Sequence, residues 1–483
     1  MTVKDEWLWG WDPTPGIVSV WAEPDGRAWV WRRVPGRREP VCERARFRPW
    51  LLLSSLDDLA HLGAKPWPHR ITAIELEGPG ALRHLVTADD GAALAAAVLH
   101  GAARRLGRPI ARLRELGAEN VLALAPEEQY LVATGRTHFK GLHFDDLRRL
   151  QFDLETTGLD VESDRVFLVA LRDPEGRTEL LEAAGEDDRA EAELLLRLAA
   201  RVRAHDPDVI ENHNLHGFDL PFLVGRADRL GVPLALARVG PPGLRTRPSS
   251  RGTAIEGHAA PARYTMPGRE LIDSLDAVFR HDFSARDLPG HGLKVVARHF
   301  GLAGEAREHI PGAEVWDVYR RDPARVRRYA EADVAEAAGL ARLLGGAAFA
   351  LAHMAPRRYE RLADAGPATG VIDPLLVRAY LRSGAALPAH ERGDGTEHSG
   401  AGLFLFAAGV ARRIVKADVA SLYPSLMREH RIGPRRDRLG VLLTLVDRLV
   451  EQRLAAKARA RAAAPGSPER HENEALSAAM KLV

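Results

Sequence analysis

The chain has 483 residues, of which 46% are hydrophobic and 28% are charged, proportions that are normal for a soluble globular protein. This length predicts about three domains. A single cysteine, Cys42, excludes an internal disulfide framework and a multi-cysteine zinc module, so metal chemistry must use carboxylates. Because the formal net charge is only +2, a nucleic-acid partner has to be held by local grooves.

The beginning of the chain is rich in tryptophan, with eight of the nine in the first 67 residues. Trp7, Trp9 and Trp11 have the spacing of one face of a strand. Residues 19–21 and 28–31 flank Pro-Asp-Gly, a pattern typical of a β-hairpin. We therefore predict a β-rich N-terminal domain over residues 1–145. Its tryptophans could stack on unpaired bases, but core packing is the more common use of such residues.

The pattern changes near residue 150 to short buried strands that alternate with helices. Such alternation predicts an α/β domain, which we place at residues 146–350. Residues 241–268 are rich in Pro, Gly, Arg and Ser and are predicted to form an exposed excursion. A polar segment at 389–400 then separates this domain from the part of the chain that follows.

Carboxylates recur at three places in this α/β region. Asp153 and Glu155 have the i, i+2 spacing that puts both on one face of a strand, with Phe152 and Leu154 on the other. Paired acids bind hard divalent cations through oxygen, and two such ions can stabilise both oxygens of a phosphodiester under attack. Taken alone, the pair is also compatible with a solvated strand face.

The second and third places are Asp219 and the pair Tyr329 and Asp333. Asp219 follows a predicted strand and can serve as a third ligand or as the cap of the next helix. Tyr329 and Asp333 are four residues apart in a helical segment and so share a face. Asp333 could hold a metal while Tyr329 orients water, although an ordinary amphipathic helix shows the same spacing.

These acids, in this order, resemble the proofreading 3′-to-5′ exonuclease domain of family B DNA polymerases, which is ribonuclease-H-like. The resemblance is carried by residues 150–158, by residues 212–223 and by the pair Tyr329 and Asp333. It implies that the four acids bind two Mg²⁺ or Mn²⁺ ions and that Tyr329 assists catalysis. It also implies that Asn214 and Phe218 contact DNA. The four implied metal ligands of this site are Asp153, Glu155, Asp219 and Asp333.

Residues 418–425 read Asp-Val-Ala-Ser-Leu-Tyr-Pro-Ser, the family B polymerase pattern Asp-x-x-Ser-Leu-Tyr-Pro-Ser. Asp418 ends a predicted apolar strand at Ile414 and Val415 and is followed by this turn. Such an arrangement is suited to binding a metal-bound triphosphate. The resemblance implies that Asp418 binds the catalytic metals. The implied nucleotide-binding residues of the motif are Val419, Leu422 and Tyr423, of which Tyr423 excludes a 2′-hydroxyl.

Apolar residues from Leu439 to Val450 follow helical spacing, and Arg453 and Lys457 continue the stripe. A break at residues 465–468 is followed by a second helix from about Glu472. The resemblance assigns Arg453, Lys457 and Lys481 to the triphosphate; a solvated arginine-rich helix remains the alternative for Arg453. We therefore predict a linker and partial palm at 351–437 and a partial helical hairpin of the fingers at 438–483.

The resemblance implies a DNA-directed DNA polymerase with proofreading, of a bacterial branch like DNA polymerase II. The family's later Asn-Ser-x-Tyr-Gly and Asp-Thr-Asp motifs do not occur in the sequence. We therefore expect a C-terminally truncated chain with a complete exonuclease site and an incomplete polymerase site. The alternatives are a self-sufficient 3′-to-5′ exonuclease and a DNA-binding pseudo-polymerase without chemistry.

The implied partners are primer-template DNA, single-stranded 3′ ends and deoxynucleoside triphosphates, without a membrane. A sliding clamp is a further candidate, although no segment points to it. Neither a secretory signal nor a bilayer-spanning apolar stretch is visible, so we expect a cytoplasmic protein of the bacterial nucleoid.

Overall fold

The computed structural model describes residues 6–240, 243–247, 262–304, 307–366, 368–389 and 421–483, together with 402, 404–410, 412–415, 417 and 419. The chain forms two compact units. The first comprises Met1–Pro49, Ala125–Arg378 and Gln452–Val483, and the second comprises Trp50–Leu124 and Ala379–Glu451. Compactness reflects packing between distant segments, whereas the domain limits at 145, 350 and 437 reflect changes in sequence pattern. That four-domain division stays a prediction.

Strands and helices alternate through much of the chain. The strands of the described residues are β1 (Ile17–Ala22), β2 (Arg27–Arg32), β3 (Val41–Arg46), β4 (Trp50–Leu53), β5 (Thr72–Glu75), β6 (His84–Thr87), β7 (Val121–Leu122), β8 (Arg149–Thr156), β9 (Val166–Arg172), β10 (Thr178–Glu182), β11 (Val209–Asn212), β12 (Arg245–Arg247), β13 (Arg263–Thr265) and β14 (Glu270–Asp273). The α-helices of the same residues are α1 (Glu6–Trp9), α2 (Gly91–Leu106), α3 (Pro126–Thr134), α4 (Asp188–His205), α5 (Leu220–Leu230), α6 (Ser274–Ala285), α7 (Leu293–His299), α8 (Val315–Arg321), α9 (Pro323–Leu344), α10 (Gly346–Ala352), α11 (Tyr359–Ala363), α12 (Asp373–Arg382), α13 (Leu422–Glu429), α14 (Val441–Ala462) and α15 (Pro468–Leu482).

The predicted N-terminal hairpin is confirmed. β1 and β2 pair in antiparallel fashion, and β3 joins them as a third strand. Gly26 closes the turn with φ of +79°, where a Cβ atom would lie 2.4 Å from the carbonyl oxygen of Phe47. Only glycine fits there, because the backbone is left-handed and another strand end passes close by. The buried face of this sheet packs on Tyr130 and Leu131 of α3.

Trp7, Trp9 and Trp11 do not lie on a strand, and that prediction is wrong. Residues 6–9 form the single helical turn α1, in which Leu8 is the buried residue. The ring of Trp11 covers Gly135, whose added Cβ would lie 2.3 Å from the indole. Three residues at period two cannot distinguish a strand from a short turn, because no longer pattern supports either one.

A five-stranded sheet forms the centre of the first unit, in the order β10-β9-β8-β11-β14. The first three strands are antiparallel, whereas β8, β11 and β14 are parallel. Helices α4 and α5 cover one face, where they bury Phe152 and Leu154 of β8. Helix α9 covers the other face, where Ala330 and other apolar residues of the helix pack on β9.

Asp153 and Glu155 therefore point to the α9 face, as their alternation with Phe152 and Leu154 predicts. The carboxyl ends of the parallel strands β8, β11 and β14 lie side by side. In open α/β sheets this edge is where ligands bind. The confirmed mixed α/β fold thus places the paired acids between a sheet edge and a covering helix.

The second unit contains an antiparallel sheet of order β5-β6-β4-β7. Helix α2 packs on it through Leu94, Val98 and Ala102. The helix begins at Asp90, whose side chain accepts hydrogen bonds from the backbone of Ala92 and Ala93. Such capping supplies acceptors to N–H groups that have no partner within the helix.

The two predicted C-terminal helices are confirmed, with small shifts of their limits, whereas their pairing as a hairpin of the fingers stays a prediction. The second helix begins at Pro468, four residues earlier than predicted, because Ser467 caps it by accepting a hydrogen bond from Arg470. In the first unit, Arg459 of α14 donates to Asn473 of α15 at 2.7 Å. Gly346 lets α15 approach α10, since a Cβ there would lie 2.5 Å from that of Ala475.

The strand predicted before residue 418 is not seen in residues 412–415 and 417. Ile414 and Val415 are exposed and adopt no regular structure. A strand needs a neighbour to satisfy its backbone groups, and the described residues offer these two no pairing partner.

By length and hydropathy, no single helix among the described residues qualifies as a membrane span. Only α9 and α10 taken together do so, and they are bent by 51° relative to each other.

Candidate metal centre

Three of the predicted acids meet between β8 and α9. Asp153, Glu155 and Asp333 each place a carboxylate oxygen within 4.8 Å of the others. The strand supplies two acids from one face, and α9 carries Asp333 over that face. Glu155 and Asp333 are buried, with 7% and 4% of their surface exposed. Oxygen ligands at this density suit a hard divalent cation.

The fourth predicted acid, Asp219, is buried beside Asp153. It lies at the end of the turn Leu215–Asp219 and precedes α5, but its side chain makes no capping hydrogen bond to that helix. The alternative that Asp219 is only a helix cap is therefore wrong. The side-chain amide of Asn212 donates to Oδ1 of Asp153 at 3.0 Å.

The loop that carries Asp219 is fixed from beneath by Asp273 at the end of β14. The Asp273 carboxylate accepts backbone hydrogen bonds from Asn214 at 2.8 Å and His216 at 3.2 Å. Nδ1 of His216 accepts from the backbone of Tyr264 at 3.1 Å. These contacts hold the loop against β13 and β14 independently of any bound ion.

Burial and mutual repulsion shift the acids toward their protonated forms. Burial, reinforced by the charge of Asp333, raises the pKa of Asp153 to about 7. Burial raises the pKa of Glu155 well above its usual range, and the charges of Asp153 and Asp333 add to the shift. Burial followed by the charge of Asp153 does the same to the pKa of Asp219. The ionised carboxylates repel one another, so a bound cation would stabilise them.

Tyr329 lies one helical turn before Asp333, as predicted, and is 6% exposed. Burial, reinforced by the charge of Asp333, raises the pKa of its phenol to about 12. The hydroxyl therefore stays protonated at neutral pH and can act as a hydrogen-bond donor.

Two cationic side chains at this site, Lys294 and Arg307, were not predicted from the sequence. Nζ of Lys294 on α7 donates to Oδ2 of Asp333 at 3.0 Å, and the guanidinium of Arg307 donates to Oδ1. The sequence did mark Lys294 as a candidate site residue. It is the only lysine between positions 141 and 415, in a chain whose other basic residues there are arginines and histidines. Nothing marked Arg307, since arginine is common throughout the sequence.

The residues present fit a divalent cation. Among the described residues, Oε1 of Glu155, Oδ1 of Asp219 and Oδ1 of Asn212 are buried without a hydrogen-bond partner. Buried acceptors normally have a partner, so a cluster of three without one indicates a missing ligand. A cation bound by the carboxylates would supply it.

The two predicted DNA contacts lie on the loop before Asp219. Asn214 is exposed and has φ of +67°, a conformation that asparagine tolerates. Phe218 is half-buried and packs on Phe222, with ring centroids 5.6 Å apart. Asn214 thus offers an exposed side chain on the loop that ends at Asp219, whereas Phe218 is partly used in packing.

The predicted polymerase residues are only partly described. Asp418 lies outside the described residues. Val419, Leu422 and Tyr423 belong to the second unit and are 59%, 45% and 61% exposed. Leu422 and Tyr423 open α13.

The three predicted phosphate-binding cations belong to the first unit. Arg453 is half-buried and Lys457 is exposed, both on α14. Lys481 on α15 lines a cavity of about 470 Å³ with Arg280, His281 and other residues of α6 and α10. Their role in nucleotide binding stays a prediction.

Comparison with known proteins agrees with this geometry. Residues 150–344 match the model of the RNase_H superfamily. DNA polymerase 2 of Aeropyrum pernix is 30% identical over 301 residues, which cover 60% of this chain and 34% of that protein. The DNA polymerase delta catalytic subunit of Bos taurus is 30% identical over 263 residues, covering 52% and 23%. Over this part of its length the chain is similar to DNA polymerases.

A solved structure extends the likeness over almost the whole chain. The family B DNA polymerase from the archaeon Pyrobaculum calidifontis has a TM-score of 0.69 and 21% identity, covering 97% of this chain and 66% of that one. At that identity the match shows the fold alone. The chain spans about a quarter to a third of the two curated relatives named above. The named relatives are archaeal and eukaryotic, so the bacterial branch stays a prediction.

Proposed function

We propose that this chain carries a 3′-to-5′ exonuclease site that removes nucleotides from single-stranded DNA ends. The observation that carries the proposal is the convergence of Asp153, Glu155 and Asp333, with oxygens within 4.8 Å. The homology to family B DNA polymerases and the match to the RNase_H superfamily support it.

The carboxylates of Asp153, Glu155, Asp219 and Asp333 would hold Mg²⁺ or Mn²⁺. Such ions activate water and stabilise the oxygens of a phosphodiester under attack. Asn212 orients Asp153 through its amide. Tyr329, which keeps its proton, donates a hydrogen bond toward the water or the phosphate. Asn214 presents its side chain to the DNA strand.

The test is metal-dependent release of nucleotides from a labelled single-stranded 3′ end. We expect the double variant Asp153→Ala, Glu155→Ala to abolish release, and the isosteric Asp153→Asn to reduce it strongly. Glu175→Gln is a matched control, since Asp173, Glu175 and His205 form another acidic group with ligand atoms within 4.8 Å. No release by folded wild-type protein in Mg²⁺ or Mn²⁺ would refute the exonuclease and favour the DNA-binding alternative.

We further propose that the whole protein is a DNA-directed DNA polymerase that uses primer-template DNA and deoxynucleoside triphosphates. The support is the Asp-x-x-Ser-Leu-Tyr-Pro-Ser motif at 418–425 together with the homology. The Asp-Thr-Asp motif with the second catalytic acid does not occur in these 483 residues. We therefore expect no primer extension by this chain alone, and templated incorporation would contradict that assignment.

A further inference from the structure

The Asp333 carboxylate is already bound by two cationic side chains. Lys294 donates to one of its oxygens, and Arg307 donates to the other. Asp153 and Glu155 have no such partner, since the one described donor to either of their side chains is the neutral amide of Asn212. The three acids that converge are therefore not equivalent toward an incoming cation.

The two cationic partners of Asp333 differ in how firmly they are held. Arg307 also donates to Glu336 and to the backbone carbonyls of Glu308 and Tyr329. Lys294 hydrogen-bonds to Asp333 and to the Tyr329 hydroxyl, with Nζ 4.5 Å from the centroid of the Tyr329 ring. Its side chain keeps 26% of its surface exposed. Lys294 thus makes fewer hydrogen bonds than Arg307 and is partly exposed, so it can leave Asp333 for solvent more readily than Arg307 can.

The position of Lys294 is set by its helix. α7 packs through Val296 on Leu340 of α9, the helix that carries Asp333. The lysine is therefore presented to Asp333 by a packed element, and its ammonium group offsets one negative charge of the cluster. A buried acid without such compensation is costly.

We propose that Lys294 is a built-in counter-ion of Asp333, which a divalent cation must displace before it can use this carboxylate. The proposal rests on the proposed function, because it takes Asp333 as a metal ligand. Lys294 then stabilises the metal-free site and at the same time weakens metal binding to it. Lysine suits this role, because its ammonium is a single flexible point charge that is readily hydrated.

Replacing Lys294 separates this role from a merely structural one. We expect Lys294→Met to lower the unfolding temperature of the metal-free protein and to tighten Mn²⁺ binding about tenfold, the effect of roughly 1.4 kcal/mol. Mn²⁺ affinity is measured from the EPR signal of the free ion, and Lys294→Arg, which keeps the positive charge, is expected not to tighten Mn²⁺ binding. A structural role would weaken both stability and metal binding. Unchanged or weaker Mn²⁺ binding would overturn the proposal.

Arg327→Met is the matched control. Arg327 lies on α9, as Asp333 does, and forms an exposed ion pair with Glu182. The substitution therefore removes a positive charge from the same helix. We expect it to leave Mn²⁺ affinity unchanged. If wild-type protein binds no Mn²⁺, or binds it equally after Asp153→Asn, the proposed metal site itself fails. If Mn²⁺ binding is weakened by Asp153→Asn but is unchanged by Lys294→Met, the metal site stands and the counter-ion role of Lys294 is refuted.

A measurement on the wild-type chain avoids any folding defect of the variants. An ammonium group paired with a carboxylate reacts poorly with amine reagents, so displacement should raise labelling of Lys294 when Mn²⁺ is added. Peptide mass spectrometry compares it with Lys457, which is exposed on α14. Labelling of Lys294 that stays constant or falls with Mn²⁺ would contradict displacement.

Discussion

Tyr329 and Asp333 lie one turn apart on α9, and their surroundings give them different roles. Asp333 accepts hydrogen bonds from two cations and remains a candidate ligand. Tyr329 is flanked by the same cations, with Lys294 and Arg307 at 4.5 and 5.0 Å from its ring centroid. Because burial raises the pKa of the phenol to about 12, its hydroxyl can donate but not act as a base near pH 7.

We therefore expect Tyr329→Phe to lower exonuclease turnover about 100-fold, the usual effect of losing one donor to a transition state. The ring and its packing remain, so the unfolding temperature should change little. The pH profile between 6 and 10 should keep its shape, since the phenol does not titrate there. Tyr319→Phe is the control, because this tyrosine bonds Glu182 instead. A changed pH profile would show that the phenol ionises during turnover.

At the scale of elements, α4 and α5 support the strand that carries the acids, and a buried ion pair joins these helices. Arg226 of α5 donates to Glu191 of α4 at 2.6 Å, and both side chains are at most 2% exposed. The same carboxylate accepts from the backbone of Val166 at the start of β9. One acid thus connects two helices to the sheet.

Glu191→Gln should destabilise the first unit by about 3–5 kcal/mol, because it leaves Arg226 buried without the carboxylate to which it is hydrogen-bonded. Glu193→Gln on the same helix is the matched control. Its partner Arg189 is 86% exposed, so its loss should cost less than about 0.5 kcal/mol. Urea unfolding monitored by circular dichroism measures both variants. Equal midpoints for Glu191→Gln and Glu193→Gln would show that the buried pair contributes no net stability.

The elements also show how far the sequence could predict the site. Period two on β8 placed Asp153 and Glu155 on one face, and period 3.6 on α9 joined Tyr329 to Asp333. Both rules are local, and both are confirmed. Lys294 reaches Asp333 across 39 residues, and no local rule encodes such a contact. The strand predicted for Ile414 and Val415 is wrong for residues 412–415, because a strand depends on a pairing partner and a local pattern does not show whether one is present.

At the scale of the whole molecule, stability depends on pH through the groups that titrate differently when folded. The pKa of Asp153 is about 7 in the fold against 3.8 ordinarily, so the folded state binds more protons between those values. Its contribution to stability is greatest below about pH 4 and is lost as pH rises toward 7. Burial raises the pKa of Glu127 to about 7, with the same sign. Burial lowers the pKa of His138 to about 3, which has the opposite sign.

The informative quantity is therefore the difference between wild type and Asp153→Asn, because Glu127 and His138 contribute equally to both. In EDTA, we expect wild type to lose about 2–4 kcal/mol more stability than the variant between pH 4 and pH 7, at roughly 1.4 kcal/mol per unit of pKa shift. Mn²⁺ at pH 7 should restore the stability of wild type alone, since it binds the ionised acids of the native state. Urea titrations at each pH measure this, and parallel pH dependences would contradict the raised pKa of Asp153.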